Sequence, residues 1–477
     1  MGCIQSSDAI EDWESSTCGG GGGGSAANGE VYVFVPGFRA PKNVELAAHL
    51  PLQQQASSSS ISPELATRLV SLRSRISHLA AKPDRSSSHK SRHADDEQGV
   101  VNLAKALEGY LPLLMGLTTG GEKLSSSFRF EWTNVEDEKK ETALSSAYYE
   151  LLSVLHLLGM LAMQDANLML TPTLEIDDYN SKIFDGIKRM AIETLLKAVS
   201  YFECAISAVI PNVPDDIKAK LPADLMEGMF IALEQQALGQ AVELQLGFAV
   251  ENVTASLAVK RRLACEQVKC WEQAQEKLAC MPLAEGWGAK HILFAKWKLA
   301  EAKAMAYYFH AQVLEEGFEV DTHAHALTCF RESVSYLKEG QRQRLYFNNT
   351  YPSSRVLPPI WGPMKHLSER IPREALSKAR IFRDIYNEEE SPETTPKLPD
   401  FPIALTAELY VLPPIDPAWE SERGYEARTS SLTVDVPSLL AKTNQDQKLL
   451  TSVDLHRQQP VSPPPPLSLV APEPVQV

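Results

Sequence analysis

A chain of 477 residues with 44% hydrophobic content is long enough to bury a sizeable core, and its net charge of −15 argues against a nucleic-acid-binding surface, which needs clustered Lys and Arg to meet phosphate. Seven scattered cysteines with no secretory apolar segment ahead of them fit a reducing compartment better than a disulfide framework. Helical periodicity dominates from about 100 to 387 while Gly, Ser and Pro gather at the ends, so the expected organisation is a tether over 1–29, one helical domain over 30–420 and a Pro-rich tail over 421–477.

The chain opens Met1-Gly2-Cys3-Ile4-Gln5-Ser6, a pattern for N-myristoylation of Gly2. One acyl chain holds a protein on a bilayer only marginally, so stable attachment needs a second signal. Asp8, Glu11, Asp12 and Glu14 follow with no Lys or Arg, which removes a polybasic patch as that signal and leaves palmitoylation of Cys3, with Cys18 a weaker candidate. The glycine run 19–24 then reads as a flexible spacer between lipid and domain.

Residues 30–37 are β-branched and aromatic up to Pro36-Gly37, which predicts a strand, and the alternating Phe128-Arg129-Phe130-Glu131-Trp132 is its candidate partner in a small sheet. Ser62-Pro63-Glu64 opens a helix to about 81. Residues 82–99 lack apolar periodicity and read as a solvated insertion; the basic residues around them, Arg68, Arg73, Arg75, Lys82, Arg85, Lys90 and Arg92, read as an exposed helix end and loop.

Helices are expected over 138–170, 176–209, a central pair within 222–282, then 291–316, 322–339 and 363–386, with prolines 172, 211, 214, 222, 282, 352 and 363 between them. The apolar run 147–170 contains Glu150, His156, Gln164 and Asp165, so it reads as a core helix rather than a membrane span. In the central pair, Pro222 suits a first helical position, and Met226, Phe230, Leu233, Ala237, Ala241 and Leu244 form one stripe to be buried. Gly247 is the expected break, with Val253, Leu257, Leu263 and Val268 on the second helix. The fourth helix carries an alanine-dense stripe, and with the next it forms a tetratricopeptide-like hairpin. The fold class is therefore mainly α, a curved α-helical solenoid of such hairpins plus a small N-terminal β-sheet. Pro463 to Pro466 offer an extended segment to an aromatic-lined reader, or simply lie in a passive tail.

No Gly-rich phosphate loop, nucleophile elbow or paired zinc-ligand helix is present, so no enzyme activity, cofactor or metal is expected. His323 and His325 lie two residues apart, on different sides of a helix, and read as surface residues. Cys265, Cys270 and Cys280 read as buried or partly buried thiols, and Glu234 and Glu243 as solvated charges on different faces.

Four segments in order resemble the BRO-one domain of endosomal-targeting adaptors. Residues 226–237, MEGMFIALEQQA, resemble the family's Leu-Ala-Gln-Ala-Gln-Glu helix; 128–132, its Phe-x-Trp strand; 304–311, AMAYYFHA, its tyrosine-rich helix; and 347–352, FNNTYP, its connector. The resemblance spans about 30–417, and a Met-Gly-Cys start ahead of such a domain is similar to the plant members. It implies a helical domain with no enzyme activity that binds a C-terminal helix of an ESCRT-III subunit by helix-in-groove recognition. The family's apolar contact positions fall on Val253 and Leu257, and its aromatic one on Gln240, a polar departure. The expected protein is a peripheral adaptor, lipid-anchored on the cytoplasmic face of an endosomal or plasma membrane. The rival is a membrane-anchored signalling scaffold using the solenoid and tail for other partners.

Overall fold

A computed structural model describes residues 32–42, 61, 63–81, 89–120, 122–126, 128–135, 140–171, 181–283, 285–317, 320–354, 357–386 and 395–419. The lipidation positions Gly2 and Cys3 and the proline run 463–466 lie outside them. Helices follow one another as α1 (Pro63–Ala80), α2 (His89–Thr119), the short α3 (Glu122–Ser125), α4 (Ala147–Leu170), α5 (Ser181–Cys204), the short α6 (Asp215–Lys218), α7 (Glu227–Glu251), α8 (Leu257–Ala279), α9 (Trp287–Glu315), α10 (Val320–Asn349) and α11 (Pro363–Tyr386). Each long helix packs mainly on its neighbour in this order, α1 on α2, α2 on α4, α4 on α5, α5 on α7 and onward to α10 on α11, and α11 returns to touch α7. The expected solenoid of helical hairpins with a small sheet is the observed architecture.

The sheet is built differently from the expectation. β1 (Phe130–Thr133) pairs antiparallel with β2 (Glu141–Leu144), Phe130 opposite Leu144, and not with 32–37, the described part of the expected strand. Residues 34–40 run extended without a ladder, and only Pro41 bridges to Trp132. Gly37 at φ 138° turns the chain there, and Phe34 inserts its ring among Phe294, Phe347 and Trp287, so packing rather than pairing holds this segment. The helix expected from 138 starts at Ala147, because Glu141-Thr142-Ala143-Leu144 is taken by β2.

α2 begins at His89, inside the stretch 82–99 expected to be a solvated insertion, and Asp96, Glu97 and Gln98 on it are exposed. Arg73 is likewise not at the surface: it is 2% exposed and its Nε meets Glu150 Oε1 at 2.6 Å. Glu150 also accepts Trp132 Nε1–H at 2.6 Å, which is why a carboxylate is tolerated in the middle of α4. Among the described residues three helical stretches, 96–119, 147–170 and 183–212, are long and apolar enough to cross a membrane by length and composition, yet α4 is buried along most of its length by its own neighbours. Gly159 on α4 makes the contact with α5 close, since a Cβ there would strike the Phe202 ring.

After α11 the described chain resumes at 395 as an extended strap that ends in one 3-10 turn, Pro417–Trp419. Its end is anchored on α2: Asp416 N–H donates to Pro112 O at 3.1 Å and Trp419 Nε1–H to Leu113 O at 3.1 Å, with the indole against Gly116. Pro112 lies inside α2 without breaking it, as Pro372 does in α11.

Candidate partner-binding surface

The α7–α8 hairpin carries the residues on which partner binding was expected. Pro222 opens not α7 but a short turn, Ala223–Leu225, and α7 starts at Glu227 with Met226 as its extended N-cap. Phe230, Leu233, Ala237, Ala241 and Leu244 are buried as the stripe requires, and Met226 at its end is half-buried. Gly247 does not break the helix. It sits against Pro363 of α11, where a Cβ would make ordinary contact at 3.7 Å, and α7 runs on to Glu251.

The hairpin turn is rigidified by its own side chains. Asn252 Oδ1 accepts Thr254 N–H at 2.9 Å and the Thr254 hydroxyl at 2.8 Å, and Ser256 Oγ caps α8 by accepting Val259 N–H at 3.3 Å. Val253 therefore lies in the turn, not on the α8 face where its spacing suggested, and is 94% exposed. Leu257 is the first residue of α8, half-buried against the core, and Val259 beside it is 48% exposed.

Gln240 is elsewhere. It is 1% exposed and lies 11 positions before the end of α7, about 16 Å along the axis. Its Oε1 is 3.5 Å from Gln236 Nε2 in a buried polar file. Gln236 Nε2 donates to Phe34 O at 2.7 Å, and Gln236 Oε1 faces His291 Nε2 at 2.6 Å. An amide oxygen can only accept, so this geometry assigns the His291 proton to Nε2. The expectation that Gln240 faces a partner is thus corrected: the polar side chain belongs to the interior file that ties the N-terminal segment to α7 and α9. Burial, with His156 nearby, pushes the His291 imidazole down to about 3 and keeps it neutral.

Sequence reasoning missed the contribution of α5. Lys188 pairs with Glu251 at 2.9 Å and sits over the Phe184 and Phe248 rings at 4.9 and 5.2 Å, while Arg189 covers Phe248 at 5.4 Å. The same helix exposes Ile183 (52%) and Met190 (53%), seven residues apart and so on one face. That i, i+7 apolar pair was the available signal. At the corner where α5 meets the end of α7, the cations Lys188 and Arg189 stack on aromatic rings, while Ile183 and Met190 lie on another side of α5, roughly 100–160° round the helix. The exposed aliphatic side chains at the hairpin turn itself are Val253 and Val259, a surface that suits an amphipathic helix better than a small substrate.

Of the groups considered for chemistry, Glu243 and His323 have structural partners. Glu243, expected to be solvated, is 1% exposed and accepts from Lys298 Nζ at 2.8 Å; Glu301 accepts from the same ammonium at 3.1 Å. Burial works against the Lys298 charge, but the two carboxylates outweigh it and hold the amine firmly protonated. Glu234 is half-buried on another face of α7, and burial, with Glu203 close by, pushes its carboxyl up to about 7. His323 and His325 are half-buried rather than at the surface, His323 Nε2 lying 2.9 Å from Gly317 O. Cys265 and Cys270 are buried and Cys280, at the end of α8, is exposed.

Residues 52–369, more than half of the chain, match the BRO1-like domain. No curated protein is similar to the chain at a significant level. Among solved structures, one described as the structure basis for endosomal targeting by the Bro1 domain is 14% identical, with a TM-score of 0.50 over 83% of this chain and 96% of that one. A complex of the ALIX BRO1 domain with CHMP4C is 14% identical, with a TM-score of 0.50 over 85% of this chain and all of that one (100%). ALIX in complex with the SIVmac239 PYKEVTEDL late domain is 16% identical, with a TM-score of 0.51 over 88% of this chain and 54% of that one, so this chain spans about half of the ALIX chain in that structure. Such identities speak for the fold, and the fold, its element order and the domain match agree: the chain belongs to the BRO1-like domain family, a protein-interaction fold.

Proposed function

We propose that this protein is an adaptor of endosomal sorting that binds the C-terminal helix of an ESCRT-III subunit at the α7–α8 corner and is tethered to the cytoplasmic face of an endosomal or plasma membrane through acyl chains on Gly2 and Cys3. The observation that carries the binding half is Val253: an aliphatic side chain 94% exposed on a turn stiffened by Asn252 and Ser256, beside the half-buried Leu257. Exposed apolar groups on a rigid frame cost little entropy when a partner covers them. The family match and a fold shared with the ALIX domain described in complex with CHMP4C support the choice of partner class. The tether rests on the Met-Gly-Cys start and the acidic residues that follow it.

Titration of the full chain with ESCRT-III C-terminal helix peptides tests the binding half. Leu257→Asp is expected to lose binding that the wild type shows, and a wild type that binds none of the peptides would favour the scaffold alternative. Fractionation of Gly2→Ala tests the tether: the variant is expected in the soluble fraction, and its retention on membranes would remove the acyl anchor from the account.

A further inference from the structure

Between residues 397 and 412 the strap crosses α8, α7 and α5. Asp400 pairs with Lys269 of α8 at 3.0 Å, Phe401 lies under the Arg261 guanidinium at 5.8 Å, and Ala404 N–H donates to Glu266 Oε2 at 3.0 Å. Farther on, Tyr410 packs on Tyr201 of α5 with ring centroids 4.6 Å apart. Phe401, Ile403, Leu405 and Ala407 face the helices in strict alternation, each only half-buried; of the described residues 395–419, Trp419 alone is buried. Among residues 397–415 the Ala404 amide is the one backbone group with a hydrogen bond. The strap is therefore held by an apolar ladder, an exposed ion pair worth little in salt water and a single backbone bond.

It also leaves a gap. An open cleft of about 270 Å³ lies between it and α5 and α7, with Val199 and Leu238 as apolar wall and Glu203 and Glu234 as its carboxylates. To these two acids the strap adds a third, Glu408. Glu203 and Glu234 are half-buried and Glu408 stands exposed at their rim, and like charges brought together repel, so the native occupant supplies the wrong sign where a cation would be favoured.

We propose that residues 397–412 are a displaceable cover. The trough beneath them on α5, α7 and α8 is a receptor for a partner's amphipathic helix that carries a lysine or arginine, and the strap leaves its place when that helix arrives. The proposal rests on the adaptor reading above and extends its helix site from Val253 and Leu257 back along α7 to Glu234, about 28 Å, with the chain itself as a gate over that part. The apolar side chains of the incoming helix replace those of Phe401, Ile403 and Leu405, and its cation meets Glu203 and Glu234. Because Asp416 and Trp419 stay fixed on α2, the released segment remains close and closes again when the partner departs.

The test uses the full chain and one ESCRT-III C-terminal helix peptide with a basic residue among its apolar ones, with affinity measured by calorimetry. Phe401→Ser/Leu405→Ser, which loosens the cover, is expected to bind at least about tenfold more tightly than the wild type. Glu408→Lys, a change at an exposed position that gives the strap the missing cation, is expected to bind about tenfold more weakly. Should the double variant fail to fold, Glu408→Lys decides alone. Wild-type affinity in the variants, or weaker binding by the double variant, overturns the cover while leaving the adaptor reading in place. No binding by the wild type or either variant takes down both.

Discussion

Arg39 and Asp224, 185 residues apart in the chain, meet in the interior at 2.5 Å with side chains 0% and 2% exposed. The guanidinium also donates to the Tyr149 hydroxyl at 2.8 Å, which passes its own hydrogen to Thr142 O at 2.7 Å. Asp224 in turn accepts Val135 N–H at 3.2 Å. One ion pair thus joins the N-terminal extended segment, the sheet, α4 and the turn before α7. Burial opposes the Asp224 charge, but Arg39 and the remaining partners outweigh it and hold the carboxyl below its usual range. Removing either partner strands the other charge, so Arg39→Met or Asp224→Asn should each cost about 3–5 kcal/mol in denaturant unfolding, and the double variant should cost less than the sum. Additive losses would mean that the pair does not act as a unit.

Trp419 and Gly116 form the anchor of the strap. A Cβ at Gly116 would fall inside the indole, so Gly116→Ala must push Trp419 out of its site. Gly116→Ala and Trp419→Ala should then destabilise by similar amounts, about 3–5 kcal/mol if the whole indole contact is lost, and combining them should add little. Urea midpoints of the two single variants and the double one check this.

Stability should bend with pH in two opposing ways. Burial holds His156 down at about 4 and His291 at about 3, against 6.5 for the unfolded chain, so their contribution is complete above 6.5 and is lost as pH falls toward 4 and below. Glu234 is pushed up to about 7 from 4.5, so its contribution is complete below 4.5 and is lost as pH rises to 7. Glu234→Gln should therefore gain on the wild type as pH climbs from 4.5 to 7, by ~1–3 kcal/mol, and the gain should level off above that. His291→Gln should flatten the acid side instead. Thermal melts from pH 4 to 8 distinguish the two.

Partner binding should separate the surface residues from the interior one. Val253→Asp should weaken binding of an ESCRT-III helix peptide at least about tenfold with little change in melting temperature, since the side chain touches almost nothing in the free protein. Gln240→Ala should do the reverse. It cuts into the polar file beside Gln236 and His291, lowering stability by about 1–3 kcal/mol while leaving the affinity of the folded protein unchanged. A loss of affinity in Gln240→Ala without loss of stability would place that residue back at the surface.

Much of the fold was legible because helical periodicity and proline punctuation are local signals. Pro363 and the amphipathic run after it delimit α11 as observed, 363–386, and α9 falls within a few residues of its expected bounds. The misses share one cause. Residues 30–37 look like a strand by composition, yet Phe34 is kept by the rings of α9 and α10 and leaves the ladder to 141–144, whose Glu-Thr-Ala-Leu carries no strong strand signal. Arg73 and Glu243 look solvated along the chain, and only Glu150 and Lys298, brought in from distant helices, make their burial tolerable.

By itself the sequence determined most of the long helices from α4 onward and that its order of motifs is that of a BRO1-like domain, because each follows from spacing or composition within a few turns. Only the tertiary structure decided that Gln240 turns inward while Val253 stands in water, and that an extended strap rather than solvent lies over α5, α7 and α8. Both are matters of which faces meet, and a face is assigned by partners far away in the chain: Phe34 and His291 for the first, Trp419 and Gly116 for the second.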